Sequence, residues 1–294
     1  MRYIFLLLIS AACFAQQTKK VDFITAGARL TFNIPEKKVS GELTYTFEVL
    51  DRKVDTIYID AHNMQFSDVK INGKKAGWVS SAHALKLYKG YKKGWNTVSF
   101  KYNAKPKQTL YFIKDGKDTQ IWTQGQGKYT SHWLPSFDDV NEKVIFSVTV
   151  GDANTGYTVI SNGKNKGMLT EHGERFWEFE MTKPMSSYLV MLAIGNFDVQ
   201  KQTTASGTPL EMYYRPEDTD KYETTYRYSK TMFDFFEEEI GVSYPWGIYR
   251  QVPVLDFLYA GMENATSTIF SQDFVVDAIG FNDRTYINVN AHEL

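Results

Sequence analysis

Between Val21 and about Ser206, apolar side chains recur at every second position. Leu43, Tyr45, Phe47 and Val49 interleave with Thr44, Thr46 and Glu48. Val98, Phe100 and Tyr102 interleave with Thr97, Ser99 and Lys101, and Trp177, Phe179 and Met181 with Glu178 and Glu180. Successive side chains of a strand point to opposite faces, so this alternation marks strands with one face buried. Asn72-Gly73 and Asn162-Gly163 fall between such runs, and Asn-Gly supplies the positive φ of a tight hairpin turn. No helical period occurs here. The pattern predicts a mainly β, antiparallel, largely two-layer domain over residues 21–206.

The period changes after Gly207. Tyr222, Tyr226, Ser229, Phe233, Phe236 and Ile240 repeat at three- and four-residue spacing, which is one helix face. Asp220 followed by Glu223 reads as a capping box at its start. Gly241 is a natural C-cap, and Pro245 forbids continuation. Gln251–Val254 and Thr268–Val276 are short apolar runs. Residues 207–294 therefore read as the opening of a second, mixed α and β domain.

Composition narrows the classes. Of 294 residues, 33 are Lys or Arg and 34 Asp or Glu, a formal net charge of -1. This balance provides no basic footprint for nucleic acid. At 43 % hydrophobic and 23 % charged, the chain has the make-up of a folded globular protein. No apolar run approaches the ~20 residues of a spanning helix. Arg2 followed by the apolar stretch Tyr3–Ala12 and the small-residue site Cys13-Phe14-Ala15 predicts a secretory signal over residues 1–15, cleaved before Gln16. The protein is then exported, to the periplasm or the outside. A competing reading takes Ser10–Cys13 as a lipobox, with Cys13 lipid-anchored. Cys13 is the single cysteine, so the processed chain has no disulfide.

Two short strings carry chemistry: Gly261-Met262-Glu263-Asn264, and Ala291-His292-Glu293-Leu294 at the end of the chain. His-Glu opens the helical H-E-x-x-H motif, which places two imidazoles one turn apart for zinc beside a general base. The second His would fall two positions beyond Leu294. His62, His83, His132 and His172 show no ligand spacing and read as scattered surface or satisfied core residues. Gly125-Gln126-Gly127-Lys128 matches neither a dinucleotide loop nor a P-loop.

G-M-E-N followed about 30 residues later by His-Glu resembles the gluzincin aminopeptidases of the M1 family. Thr123-Gln124-Gly125-Gln126 with Trp133–Asp139 and Lys143, Lys183–Leu189 with Ile194-Gly195, and Phe235–Gly241 with Tyr244-Pro245-Trp246 resemble further segments of that family. Ser136, Asp139 and Val140 stand where the family usually has Cys, Glu and Pro. The resemblance implies a saddle-like β domain, then the opening α+β part of a thermolysin-like catalytic domain, truncated within the H-E-x-x-H motif.

It also implies roles. Glu263 would bind the free α-amine of a peptide substrate, since a charge-assisted hydrogen bond to a carboxylate suits that group. Ala260 and Gly261 would let an extended substrate add as a strand. Met262 would line the pocket for the first substrate residue, and Gln126 would reach over it from the β domain. His292 would be the first ligand of one zinc ion and Glu293 the catalytic base. The remaining ligands and the transition-state tyrosine would lie past Leu294, so the site is incomplete in this chain, which is expected to be inactive alone. The expected function is hydrolysis of the N-terminal peptide bond of oligopeptides. The rival is a non-catalytic M1-like peptide-binding or scaffold protein, and reading the coding sequence past Leu294 separates the two.

Overall fold

The computed structural model describes residues 14–153, 155–282 and 284–294. Most of the expected signal segment, including Cys13, lies outside the described residues. Four sheets form among the described residues. The largest has nine strands, and at its centre Val21–Asn33 pairs antiparallel with Lys38–Val49, which pairs in turn with Gly94–Ala104. The alternation works as expected here. Leu43, Tyr45, Phe47 and Val49 are buried, as are Val98, Phe100 and Tyr102. Phe23, Tyr45, Phe47 and Phe137 meet in an aromatic cluster. Two buried tyrosines find polar partners at their tips: Tyr45 donates to the carbonyl of Pro135 at 2.5 Å and Tyr102 to that of Trp133 at 2.9 Å.

The β domain departs from the expected pattern in two places. Val21–Asn33 pairs parallel, not antiparallel, with Lys143–Gly151. Near Trp177 the alternation is imperfect: Phe176 is buried and Trp177 half-buried. The Arg29 guanidinium covers Phe176 at 3.7 Å from the ring centroid.

The two Asn-Gly pairs do different jobs. Asn72 (φ 52°) and Gly73 (φ 73°) make the expected tight turn between Gln65–Ile71 and Lys74–Lys75. Asn162-Gly163 is not a hairpin turn. Thr158–Ser161 before it belongs to the four-stranded sheet, and Lys164–Glu171 after it to the nine-stranded one. The pair is a corner where the chain changes sheets.

A five-stranded sheet carries the last third of the chain, in the order Asp198–Thr203, Pro209–Tyr214, Tyr249–Val254, Ser267–Ser271, Gly261–Met262. Asp198–Thr203 thus joins the second unit, although its sequence position lies before residue 206; its partner is Pro209–Tyr214 along its whole length. The second apolar run stops as a strand at Ser271, and Gln272–Phe274 is a 3-10 turn.

The long helix is broken in two, α1 (Tyr222–Tyr226) and α2 (Ser229–Ile240). The capping box does not form. Lys221 is the N-cap and makes no side-chain capping bond, and Glu223 turns instead to Arg227 at 2.6 Å. The C-cap holds: Gly241 is left-handed (φ 71°), and its N–H bonds the Glu237 carbonyl. Phe233 is covered by Tyr244 and Tyr249, whereas Ile240 at the outer end is 68 % exposed. A third helix, α3 (Arg284–His292), brings the chain to its end.

The units meet in a shared core cluster. Trp122, Ile160 and Met191 of the β domain pack with Val252, Val254, Met262 and Ile269 of the second sheet.

Candidate functional site

The five-stranded sheet ends on the short strand Gly261–Met262, which pairs antiparallel with Ser267–Ser271, Gly261 opposite Phe270 and Met262 opposite Ile269. Its register is pinned by the Ser271 N–H bonding the Ala260 carbonyl at 3.0 Å. Met262 is fully buried, while Ala260 and Glu263 are exposed beside it. A peptide laid along this edge would extend an existing sheet.

Helix α3 docks against the sheet through a buried polar triangle that the sequence did not disclose. Ser229 Oγ donates to Gln251 Oε1 at 2.7 Å, Gln251 Nε2 to Asn290 Oδ1 at 2.5 Å, and Asn290 Nδ2 to Ser229 Oγ at 3.3 Å. Glu293 follows the helix directly. Its N–H bonds the Val289 carbonyl, and its own carbonyl accepts from Thr268 Oγ1 at 3.3 Å. The Glu293 carboxylate then lies against the backbone of Gly261. Its pKa is raised, first by burial and next by the nearby charge of Glu263, with His292 pulling the other way. Two acidic side chains thus flank one glycine edge.

The β domain contributes from the opposite side. Gln126 is exposed, and its N–H is held by Gln124 Oε1 at 2.6 Å. Gln124 is the buried link: its Nε2 faces Gln126 Oε1 at 3.4 Å and Met262 Sδ at 3.7 Å. The segment can press this closely because Gly125 has no side chain; a Cβ there would lie 2.5 Å from Thr130 Oγ1 and 2.6 Å from the Tyr188 carbonyl. Tyr188 faces the same place, its hydroxyl pKa raised by burial and then by Glu263. Gln124 and Tyr188 both stand inside the strings singled out in the sequence, but nothing in their spacing marks them as cleft residues.

The structure therefore gathers Gln126, Ala260, Gly261, Met262, Glu263 and Glu293 around one edge, with His292 exposed at the last turn of α3. Among the described residues, no group of three His, Cys, Asp or Glu stands in a metal-holding arrangement. A catalytic zinc takes three protein ligands, and His292 is the one imidazole of this chain at the cleft. These residues alone do not fit a complete zinc site. The histidines of the β domain are not all scattered, as their spacing suggested: His62, His83 and His132 converge.

A model of the peptidase M1 N-terminal domain matches residues 25–189, and a model of the peptidase family M1 domain matches residues 224–294. The chain belongs to peptidase family M1. It is similar to the glutamyl aminopeptidase of Bos taurus, 28 % identical over 171 residues, which is 55 % of this chain and 17 % of that protein. It is also similar to the leucyl aminopeptidase of Saccharolobus solfataricus, 26 % identical over 220 residues, 74 % of this chain and 28 % of that protein. The aminopeptidase N of Lactobacillus helveticus is 26 % identical over 250 residues, 80 % of this chain and 28 % of that protein. The chain thus spans less than a third of the length of these relatives. Membership of the family implies a peptidase relationship and, in general, zinc.

Proposed function

We propose that this chain is the front part of a zinc-dependent aminopeptidase that removes the N-terminal residue of oligopeptides. The observation that carries this reading is the pair of carboxylates, Glu263 and Glu293, flanking the exposed strand edge at Gly261. An edge strand holds a peptide backbone, and a carboxylate beyond its end suits a cationic α-amine. In this reading Glu263 receives the amine, Gln126 helps to hold it, and Ala260 and Gly261 bind the backbone; Met262, expected to line the pocket, is instead fully buried and packs beneath the edge in the core. Glu293, its pKa raised by burial and by Glu263, is suited to accept and return a proton. Zinc would supply Lewis-acid activation. His292 would contribute one ligand, so the 294-residue chain by itself is expected to be without peptidase activity. We further infer export, from Arg2 and the apolar stretch Tyr3–Ala12, with Gln16 as the processed N-terminus.

The test is hydrolysis of alanine anilide by the complete enzyme, set against the N-acetylated substrate. Cleavage of the free amine form alone is expected. Equal cleavage of both, or cleavage of neither, would remove the aminopeptidase reading.

A further inference from the structure

Strand pairing in the β domain assembles three imidazoles far apart in sequence. Ile57–Asp60 pairs with Ala84–Lys89, and beyond its end the Ala61 N–H bonds the His83 carbonyl at 2.9 Å. The His62 N–H bonds the Ser131 carbonyl at 2.8 Å, which brings His132 alongside. The rings of His62 and His132 stack at 4.1 Å with 6° between planes. His62 Nδ1 faces His83 Nδ1 at 3.3 Å. On the far side of the same ring, His62 Nε2 lies 3.8 Å from Asp138 Oδ2.

This geometry suits a cation between the two Nδ1 atoms. With metal–nitrogen bonds of about 2.05 Å, a 3.3 Å separation subtends about 107° at the metal, close to the tetrahedral angle. A carboxylate on the other ring nitrogen is the usual outer support of a metal-bound imidazole, fixing its tautomer. Stacking on His132 fixes the plane of the His62 ring. The site is open: His83 is exposed and His62 half-buried, so a hydrated ion can enter.

We propose that His62 and His83 form a second metal site, separate from the peptidase cleft, that takes a zinc-class divalent transition cation through both Nδ1 atoms. Asp138 Oδ2 stands near the Nε2 side of His62, in ion-pair range and not hydrogen-bonded, and water completes the coordination. Because two imidazoles bind where a structural site uses four ligands, the affinity is far below that of such a site. Bound metal ties the turn Ser81–Ala84 to His62, whose N–H holds the Ser131 carbonyl in the stretch that continues from Gln124 and Gln126.

Calorimetric titration of the full chain with Zn²⁺ tests this, comparing His62→Asn, His83→Asn and His292→Asn. One equivalent is expected to bind. His83→Asn and His62→Asn each weaken it more than tenfold, and His292→Asn leaves it in place. His83 is exposed, so its variant remains informative if His62→Asn fails to fold. Co²⁺ offers a second reading, as tetrahedral cobalt absorbs visible light strongly; that band is expected in the parent chain and lost in His83→Asn. No binding, binding unchanged in His83→Asn, or binding abolished by His292→Asn would overturn the proposal and leave an imidazole–imidazole hydrogen bond only.

Discussion

A Cβ placed on Gly261 would stand 2.5 Å from Glu293 Oε1 and 2.6 Å from its Cδ. The glycine is required by packing, since its φ is not in the left-handed region. Gly261→Ala should push the Glu293 carboxylate off the strand edge while sparing the fold. A displacement of about 1 Å in a catalytic group can cost about a hundredfold in rate. The complete enzyme carrying Gly261→Ala is expected to lose activity on that scale with an unchanged melting temperature. Full activity would show that the Gly261–Glu293 contact has no catalytic consequence.

Glu263→Gln keeps the shape of the side chain and removes its charge. Recognition of the α-amine should weaken roughly ten- to a hundredfold in kcat/KM on amino-acid anilides. The same change should draw the Glu293 pKa downward, because Glu263 is one cause of its elevation. A pH–rate profile whose acidic limb moves to lower pH in the variant is the second expected sign.

Glu142 is 3 % exposed, and one carboxylate oxygen accepts the Phe23 N–H at 3.0 Å. The other finds no hydrogen-bond partner among the described residues. Burial pushes its pKa up to about 7. The folded protein then holds this proton over a range where the unfolded chain has released it. The resulting stability is fully present below the unfolded value of about 4.5 and is lost as pH rises through about 7. The loss amounts to at most about 3 kcal/mol. In Glu142→Gln the fall in melting temperature between pH 5 and pH 8 should be smaller than in the parent chain; parallel curves would show that Glu142 does not carry it.

Arg250 is 1 % exposed and joins the two units. Its Nε donates to Glu211 Oε2 at 2.7 Å, and its Nη1 to the carbonyls of Gly163 at 2.7 Å and Ser161 at 3.1 Å. Burial by itself would raise the Glu211 pKa, yet Arg250 and Lys201 hold it below the usual range. Arg250→Met removes the buried cation from Glu211, which keeps Lys201 and the Tyr213 hydroxyl, and takes the Nη1 donor from the Gly163 carbonyl. Breaking a buried pair from one side costs about 3–5 kcal/mol, which urea denaturation of the variant should register.

What the sequence disclosed depended on how local each cause was. Period-two runs such as Leu43–Val49 need only their own residues, and so does the left-handed cap at Gly241. The capping box failed because Glu223 found a better partner one turn on, in Arg227. Asn162-Gly163 failed for a longer-range reason. Asn162 bonds the carbonyls of Leu189 and Ala265 and the N–H of Met191, and Gly163 is met by Thr266 Oγ1. Four partners from distant parts of the chain override the hairpin preference. The G-M-E-N and His-Glu strings marked the cleft. Gln124, Tyr188 and the Ser229–Gln251–Asn290 triangle depend on tertiary contacts that no spacing rule encodes, and the same holds for His62, His83 and His132.

The parallel pairing of Val21–Asn33 with Lys143–Gly151 also sets a schedule. During synthesis the early strand can close against Lys38–Val49 within moments, but its other edge has no partner until residue 151 has emerged. At 5–20 residues per second, that edge waits about 6–24 s. Its row of free amides and carbonyls is a template for any other strand in reach. Nascent chains crowded on one message therefore run a risk of mispairing that the finished molecule does not show, and slower translation before residue 151 would lengthen it.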